Sequence, residues 1–587
     1  MTFTDIALRT LGTAALLLPG ILLSFVIMRT ATLAMRAASA IVLGLCTIIL
    51  VGSVLAFLDS MTVVNVLIAL SVLSFVFMIV LVRSRRSIGI ISEPHQWAVL
   101  ALAAAGVLWR TFLFWIAEVK GDAFGYAPHI IMKSLAERHS WLIKVPNLSF
   151  YTGMVKDHAK YIGGEILHLV WDATALDTRV MPLVLALFTA ATILLTYHVV
   201  RRYTQRTGLA FVAAAVMAIG PAEIWQLTYT FWAHPLAMIV LLLLFITFIE
   251  DSAAYRWLTG IVCVATLLSY YTASIMIVVL CAGFIVATMT RRLIDRRSRV
   301  LTANTAFFLC MLFLGLLFVY GIADMSKYTT QNIVALKTTV AKATPATVER
   351  PPTGYVTPAN VRIGNISFLW IEERLLLLCG LTFFIYLLVA RPVLRDMNIL
   401  LALIPACMLS VAFHVVHMPD RAYDYFAWLA IAALRLPKRI LLPCCIILLL
   451  FFAGSVTYRA DSFPFLTYPD AERDAAAWIK LNINGTVFSD ETFANVLIQR
   501  NFFNVRGMAD TDMRNIPVYF KDNPREAFAT LRAFNATYIV ITRRMQEQYI
   551  LGVNFPQRPM NNSQMYEDEF PKVFDNGDTR IYKVQLR

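Results

Sequence analysis

An acid, Asp122, stands just past a long apolar run in the word GDAFGY (Gly121–Tyr126), and roughly sixty mostly polar residues follow before the next apolar run. Ionisable side chains at membrane depth are costly and are kept for substrate, ion or proton work. A carboxylate at this boundary can take a proton from an acceptor hydroxyl, or hold a metal at a phosphate. Its plainer use is to mark a helix end. Glu118 lies four residues earlier and would share a face with Asp122 on a continuous helix, but Gly121 is expected to end that helix. Lys120, Tyr126 and His129 complete the polar set. From Pro128 to Trp141, PHIIMKSLAERHSW reads as an amphipathic helix lying along an interface: Ile130, Ile131 and Leu135 are apolar, and Lys133, Glu137 and Arg138 polar.

A second constellation is HVVHMPDRAYDYFAW, from His414 to Trp428. Arg421 begins an apolar span there, with His417 and Asp420 before it and Asp424 after it. A guanidinium pairs phosphate oxygens in a fork, so Arg421 suits a lipid phosphate; a local ion pair with the flanking acids is the alternative. A third is PAEIWQLTYTFWAHP, from Pro221 to Pro235, where Glu223 stands among Trp225, Tyr229, Phe231 and Trp232. An aromatic belt accounts for the rings, and Glu223 is kept as a supporting substrate-binding residue. Seven histidines (129, 139, 158, 168, 234, 414 and 417) fall near the same side, but none has close metal-ligand spacing, so a divalent metal is neither assigned nor dismissed. The long basic loop 324–370 could close over a phosphate or be a mobile surface loop.

These residues need a membrane scaffold. The chain has 587 residues, 59% hydrophobic and 15% charged, with a mean hydropathy of +0.68. That excludes a soluble globular protein. The net charge of +14 is dispersed between apolar runs, so no nucleic-acid partner is expected. All eight cysteines lie in apolar stretches, which argues against a disulfide framework. About fourteen runs approach the roughly 20 residues that a spanning helix needs. They lie near 9–28, 37–57, 62–82, 97–117, 179–199, 208–224, 235–250, 257–271, 273–290, 304–323, 374–390, 397–416, 422–435 and 440–458. The N-terminal run is read as a retained helix. Basic clusters at 29–36, 83–86, 201–206, 291–299, 391–395 and 435–439 are assigned to the cytoplasmic face. Segments 118–178, 221–235, 324–370 and everything after 459 then face outward, and all five N-x-Ser/Thr sequons (Asn147, Asn365, Asn484, Asn535, Asn561) fall in them.

After residue 459 the chain turns polar. PDAERDAAAWIKLN predicts a helix with an acidic first turn, TVFSD a short strand and ETFANVLIQR a helix. PREAFATLRAFNATYIVITRR predicts helix, turn and strand, and FPKVFDNGDTRIYKVQ two strands around an Asn-Gly-Asp turn. The expected fold is thus a polytopic α-helical membrane protein with a small C-terminal extracytoplasmic α/β domain: an N-terminal bundle of about three spans (1–96), a core (97–458) and the α/β domain (459–587).

Over roughly 97–458 the chain resembles the GT-C superfamily of integral-membrane glycosyltransferases, of a prokaryotic and archaeal-like type. The resemblance lies in a first core helix leaving the cytoplasm, an acid-bearing outer loop with an interfacial helix, and a late span that begins with Arg. The family uses sugars carried on polyprenyl or dolichyl phosphate. By resemblance, Asp122 matches the first-loop acid that acts as base or orients the acceptor, Arg421 the late arginine on the donor phosphate, and Glu223 a second acid. No WWDYG motif occurs in the C-terminal region, which argues against Asn as the acceptor. The first-loop acids read E-x-x-x-D rather than D-x-D, which leaves metal use open. The implied function is transfer of a sugar from a polyprenyl-phosphate donor to an extracytoplasmic glycan or protein acceptor at the plasma membrane. The alternatives are a transporter or flippase of lipid-linked glycans and a non-catalytic envelope assembly factor.

Overall fold

The computed structural model describes residues 3–84, 89–91, 94–116, 181–219, 233–269, 271–294, 303–318, 469–490, 516–520, 523–547 and 559–585, with isolated residues between them (166, 167, 170, 362, 363, 366, 367, 408, 493, 494, 496, 497, 500, 502 and 504–506). Among the described residues, ten helices form the apolar part: α1 (Phe3–Ile27), α2 (Leu33–Phe57), α3 (Val63–Arg83), α4 (Pro94–Ile116), α5 (Met181–Thr204), α6 (Thr207–Ile219), α7 (Ala233–Ile249), α8 (Ala253–Leu267), α9 (Tyr271–Ile294) and α10 (Ala303–Leu317). They overlap the first ten expected spans; apart from Met408, the expected spans from 374 to 458 lie outside the described residues. Among the described residues, three stretches are long and apolar enough to cross a bilayer: Leu33–Phe57, Val63–Arg83 and Met276–Leu293. The protein is a helical membrane protein. The hydropathy pattern starts α8 at 257, whereas the helix starts at Ala253, because its first turn is polar and engages its neighbours through Tyr255 and Arg256.

Packing centres on α2, most of whose length is buried against α1, α5 and α8, whereas α3 exposes Val64, Ile68, Val72 and Phe75. Helices pack in a membrane by close backbone approach, which small residues permit. At the α1–α2 crossing Gly20 meets Gly44 so closely that a Cβ on Gly20 would lie 1.9 Å from the Gly44 nitrogen. Farther along, Phe248 lies tilted against Phe284, and Phe284 stacks on Phe308, with ring centroids 5.3 and 5.4 Å apart, joining α7, α9 and α10.

Helix ends are the difficulty in such a bundle, since each leaves four N–H or C=O groups unpaired. Here neighbouring side chains meet that need. Arg36, in the first turn of α2, is buried without a carboxylate; its Nη1 donates to the Ser24 carbonyl (2.7 Å) and its Nη2 to the Arg29 carbonyl (3.1 Å), with the guanidinium 4.2 Å over the Phe25 ring. The partial negative charge at the end of α1 takes the place of an acid. Thr32 caps α2 by accepting from the Met35 amide, and Gln96 of α4 reaches across to accept from the Leu33 amide at 2.7 Å. His198 of α5 bridges Thr32 (3.3 Å) and the Tyr255 hydroxyl (3.0 Å). Arg201 contacts His95, Arg202 pairs with Glu250, and Arg256 joins Asp251 and Asn304. Asn304 in turn donates to the Thr247 carbonyl at 2.7 Å, near the end of α7. A short parallel ladder between β1 (Thr30–Thr32) and β2 (Gly89–Ile91) sits in the same polar belt. Residues 29–36, 89–96, 198–206, 250–256 and 304 therefore share one end of the bundle, so the sequence-assigned basic clusters at 29–36 and 201–206 lie on the same side.

A two-residue antiparallel pair, β3 (Arg362–Ile363) with β4 (Ile366–Ser367), precedes the C-terminal unit. That unit contains α11 (Asp470–Asn482), β5 (Val487–Phe488), β6 (Val505–Arg506), α12 (Ile516–Phe520), α13 (Pro524–Ala533), β7 (Tyr538–Thr542), α14 (Arg543–Glu547), α15 (Ser563–Glu569), β8 (Lys572–Asp575) and β9 (Thr579–Lys583). The strands form one sheet in the order β6-β5-β7-β9-β8; β6, β5 and β7 run parallel, and β9 is antiparallel to both β7 and β8. The expected acidic-start helix, the helix-turn-strand and the final hairpin are all present. In the hairpin, Gly577 has φ +89°, and Asp575 accepts from Lys572 (2.8 Å) and then the Gly577 amide (2.9 Å), which together hold its carboxyl below the usual carboxylate range.

The belt makes a direct prediction. Gln96→Leu takes the side-chain acceptor from two α2 amides and should cost about 1–3 kcal/mol; Arg36→Met should cost less, because the Ser24 and Arg29 carbonyls keep the Met28 and Gly89 amides. Reversible unfolding in mixed detergent micelles measures this. Wild-type stability in both variants would mean that the ends of α1 and α2 are satisfied in another way.

Candidate active site and the ends that frame it

The candidate residues Glu118, Lys120, Asp122, Tyr126, His129, Glu223, His417, Asp420 and Arg421 all lie outside the described residues. The described helices instead fix where the segments that carry the early ones leave the bundle. α4 begins in the polar belt at His95 and Gln96 and runs away from it to Ile116, two residues before Glu118. α5 returns to the belt, ending in Arg201 and Arg202, so its first residue, Met181, lies at the far end. α6 leaves the belt again and ends at Ile219, four residues before Glu223; α7 begins at Ala233 and returns to Glu250. Segments 117–180 and 220–232 therefore both start and finish at the end opposite the belt. α4, α5 and α6 pack against one another, so these two chain exits are neighbours.

The belt has little capacity for chemistry of its own. His198, Arg201, Arg202 and Arg256 are each engaged by partners within it. Among the described residues no group of three His, Cys, Asp or Glu side chains could hold a metal ion.

The C-terminal unit contains a charge cluster that the sequence reading missed. Arg544 is the second residue of α14, which follows β7 directly, Asp490 follows β5, and Glu472 lies in the first turn of α11. Arg544 donates to both oxygens of Asp490 (2.7 and 3.0 Å) and to Glu472 (3.0 Å); their side chains are 5%, 0% and 2% exposed. Asp490 also accepts from the Phe493 amide at 3.0 Å. The cluster sits between the carboxyl ends of β5 and β7, where the strand order reverses and open α/β sheets usually admit ligands. Here the chain's own guanidinium fills that crevice. Nearby, Tyr519 is buried and its hydroxyl is pushed well above the usual tyrosine range, first by burial and then by Asp490. The Ser-Asp ending of TVFSD and the Arg-Arg after YIVIT carry this signal, but it reads as a pair only once β5 and β7 are known to be neighbours.

No family model and no curated protein matches this sequence. Among solved structures, the chain is similar to the oligosaccharyltransferase of Archaeoglobus fulgidus in its apo form, with a TM-score of 0.50 at 13% identity, covering 77% of this chain and 70% of that one. It is also similar to archaeal oligosaccharyltransferase AglB from Archaeoglobus fulgidus in complex with an inhibitory peptide and a dolichol-phosphate, with a TM-score of 0.49 at 14% identity over 77% and 69% of the two chains. The likeness is one of fold, shared with the archaeal oligosaccharyltransferase.

For the buried cluster, Arg544→Met leaves two carboxylates without their cation and should destabilise the C-terminal unit by about 3–5 kcal/mol. Replacing Glu472 and Asp490 as well, by Leu and Asn, should recover most of that loss. Amide exchange across β7 reports both effects. Equal exchange in wild type and Arg544→Met would show that the cluster does not hold the strand ends together.

Proposed function

We propose that this protein is a membrane glycosyltransferase that moves a sugar from a polyprenyl-phosphate-linked donor to an extracytoplasmic acceptor in cell-envelope glycan or glycoprotein synthesis. The observation that carries the reading is the likeness of fold to an archaeal oligosaccharyltransferase, taken with an acid-bearing segment that leaves the bundle opposite the basic belt. In this reading Asp122 takes the proton from an acceptor hydroxyl as that oxygen attacks the anomeric carbon. Arg421 stabilises the lipid phosphate as it leaves and gathers negative charge. Glu118, Lys120, Tyr126, His129, Glu223, His417 and Asp420 line the donor and acceptor positions. The lipid tail lies in a groove between spans, the C-terminal unit faces the same side, and the transfer inverts the anomeric centre.

Asp122→Asn should lower turnover by at least about 10²–10⁴-fold while leaving insertion and folding intact. Arg421→Gln should raise the donor KM and lower kcat together. Radiolabelled sugar transfer from a lipid-phosphate donor by purified protein reads both. Full activity in Asp122→Asn removes that carboxylate from the mechanism. Donor translocation without transfer would instead establish a flippase.

A further inference from the structure

The C-terminal unit carries a different feature on the edge opposite its buried cluster. Two N-x-Thr sequons, Asn484-Gly-Thr486 and Asn535-Ala-Thr537, stand at the amino ends of the neighbouring parallel strands β5 and β7. We propose that Asn484 and Asn535 are N-glycan acceptors and that their glycans cover this edge of the sheet. The proposal rests on the outward-facing reading of 459–587 given above, and does not require that this chain be the enzyme that modifies it.

Three observations carry it. Both asparagines are exposed, one in the loop after α11 and the other in the turn after α13, where it takes a left-handed φ of +51° that asparagine tolerates. Neither carboxamide makes a hydrogen bond among the described residues. The third sequon of the unit differs: the end of the Asn561 carboxamide lies 3.2 and 3.3 Å from the Tyr519 and Phe520 carbonyls, an environment of acceptors that calls for its nitrogen there. The two free sequons also abut. The Thr486 carbonyl accepts from the Thr537 amide (2.9 Å) and hydroxyl (3.0 Å), and a Cβ on Gly485 would lie 2.1 Å from Thr537 Oγ1. Leu481, three residues before Asn484, is 83% exposed and is the apolar surface that a glycan there would cover.

Transfer forms a bond from the carboxamide nitrogen to the anomeric carbon of a glycan carried on a polyprenyl or dolichyl phosphate. It breaks the bond from that carbon to the phosphate oxygen, releases the lipid phosphate, and gives the amide proton to a base of the transferring enzyme. In the folded unit the Thr486 hydroxyl donates to Asn504 Oδ1 (3.2 Å) and the Thr537 hydroxyl to the Thr486 carbonyl. Each hydroxyl spends its proton there and keeps its oxygen lone pairs as acceptors.

The test is glycopeptide mass spectrometry on the full-length protein purified from its native membranes, alongside Asn484→Gln, Asn535→Gln and the double variant. Glycan mass on the peptides of Asn484 and Asn535, none on that of Asn561, and stepwise loss of one glycan per substitution is the expected result. In parallel, Asp474→Cys on the exposed face of α11 is labelled on intact cells with a membrane-impermeant maleimide. Labelling with bare Asn484 and Asn535 overturns the proposal and leaves the outward topology standing. Absence of labelling until the membrane is opened overturns both.

Discussion

A helix that ends in or near a bilayer cannot leave its terminal amides and carbonyls to water, and among the described residues three helix ends meet that constraint through a side chain of another helix. Arg36 of α2 serves the end of α1, Gln96 of α4 serves the start of α2, and Asn304 of α10 serves the end of α7. Because these three side chains belong to different helices from the ends they serve, the belt fixes which ends lie together as well as how stable each one is. The direction of α4, and with it the side from which segments 117–180 and 220–232 emerge, follows from Gln96 and His95 being held in the belt.

The C-terminal unit meets a related constraint in water. Its parallel strands end at a crevice that is filled by Arg544 between Asp490 and Glu472. A buried ion cluster of this kind adds little net stability compared with apolar packing, but breaking it is expensive, so it specifies geometry. Here it ties α11, the end of β5 and the start of α14 to one another, joining segments more than fifty residues apart in sequence. Asn576, which donates to the Ala471 carbonyl at 2.9 Å, brings the β8–β9 turn against the start of the same α11.

Much of this was legible in the sequence where the signal is local. Ten spans, the acidic start of α11, the run from α13 into β7 and the final hairpin follow from hydropathy, capping residues and the Asn-Gly-Asp turn. The polar first turn of α8 escaped because a hydropathy window cannot tell a solvated residue from one such as Tyr255 that meets His198 across the bundle. Arg36 read as one more member of a cytoplasmic basic cluster; its burial depends on the course of α1. The Arg544 cluster escaped for the same reason, since a carboxylate and a guanidinium 54 residues apart become a pair only through strand order. The candidate site of Asp122 and Arg421 is in this class too: motif and resemblance select its residues, and the described helices constrain only the exits of the earlier segments.

The distribution of charge along the helices bears on what class of membrane protein this is. In α1 to α10 every Asp, Glu, Lys, Arg and His lies within about two turns of a helix end. Between the ends the polar groups are hydroxyls, and Thr47, Thr192, Thr247, Thr266 and Thr288 each donate to the carbonyl four residues back, so they are satisfied without a ligand. A transporter that binds its cargo and coupling ion near the midplane needs charged or unwound groups there. None of these ten helices supplies a charge at that depth. Their polar chemistry is gathered at two levels: a belt that its own helix ends use up, and the opposite end, from which the acid-bearing segments depart. A lipid-linked donor lying in the leaflet, with its reacting phosphate at the surface, needs its catalytic groups at such an end and can leave the middle of the bundle inert.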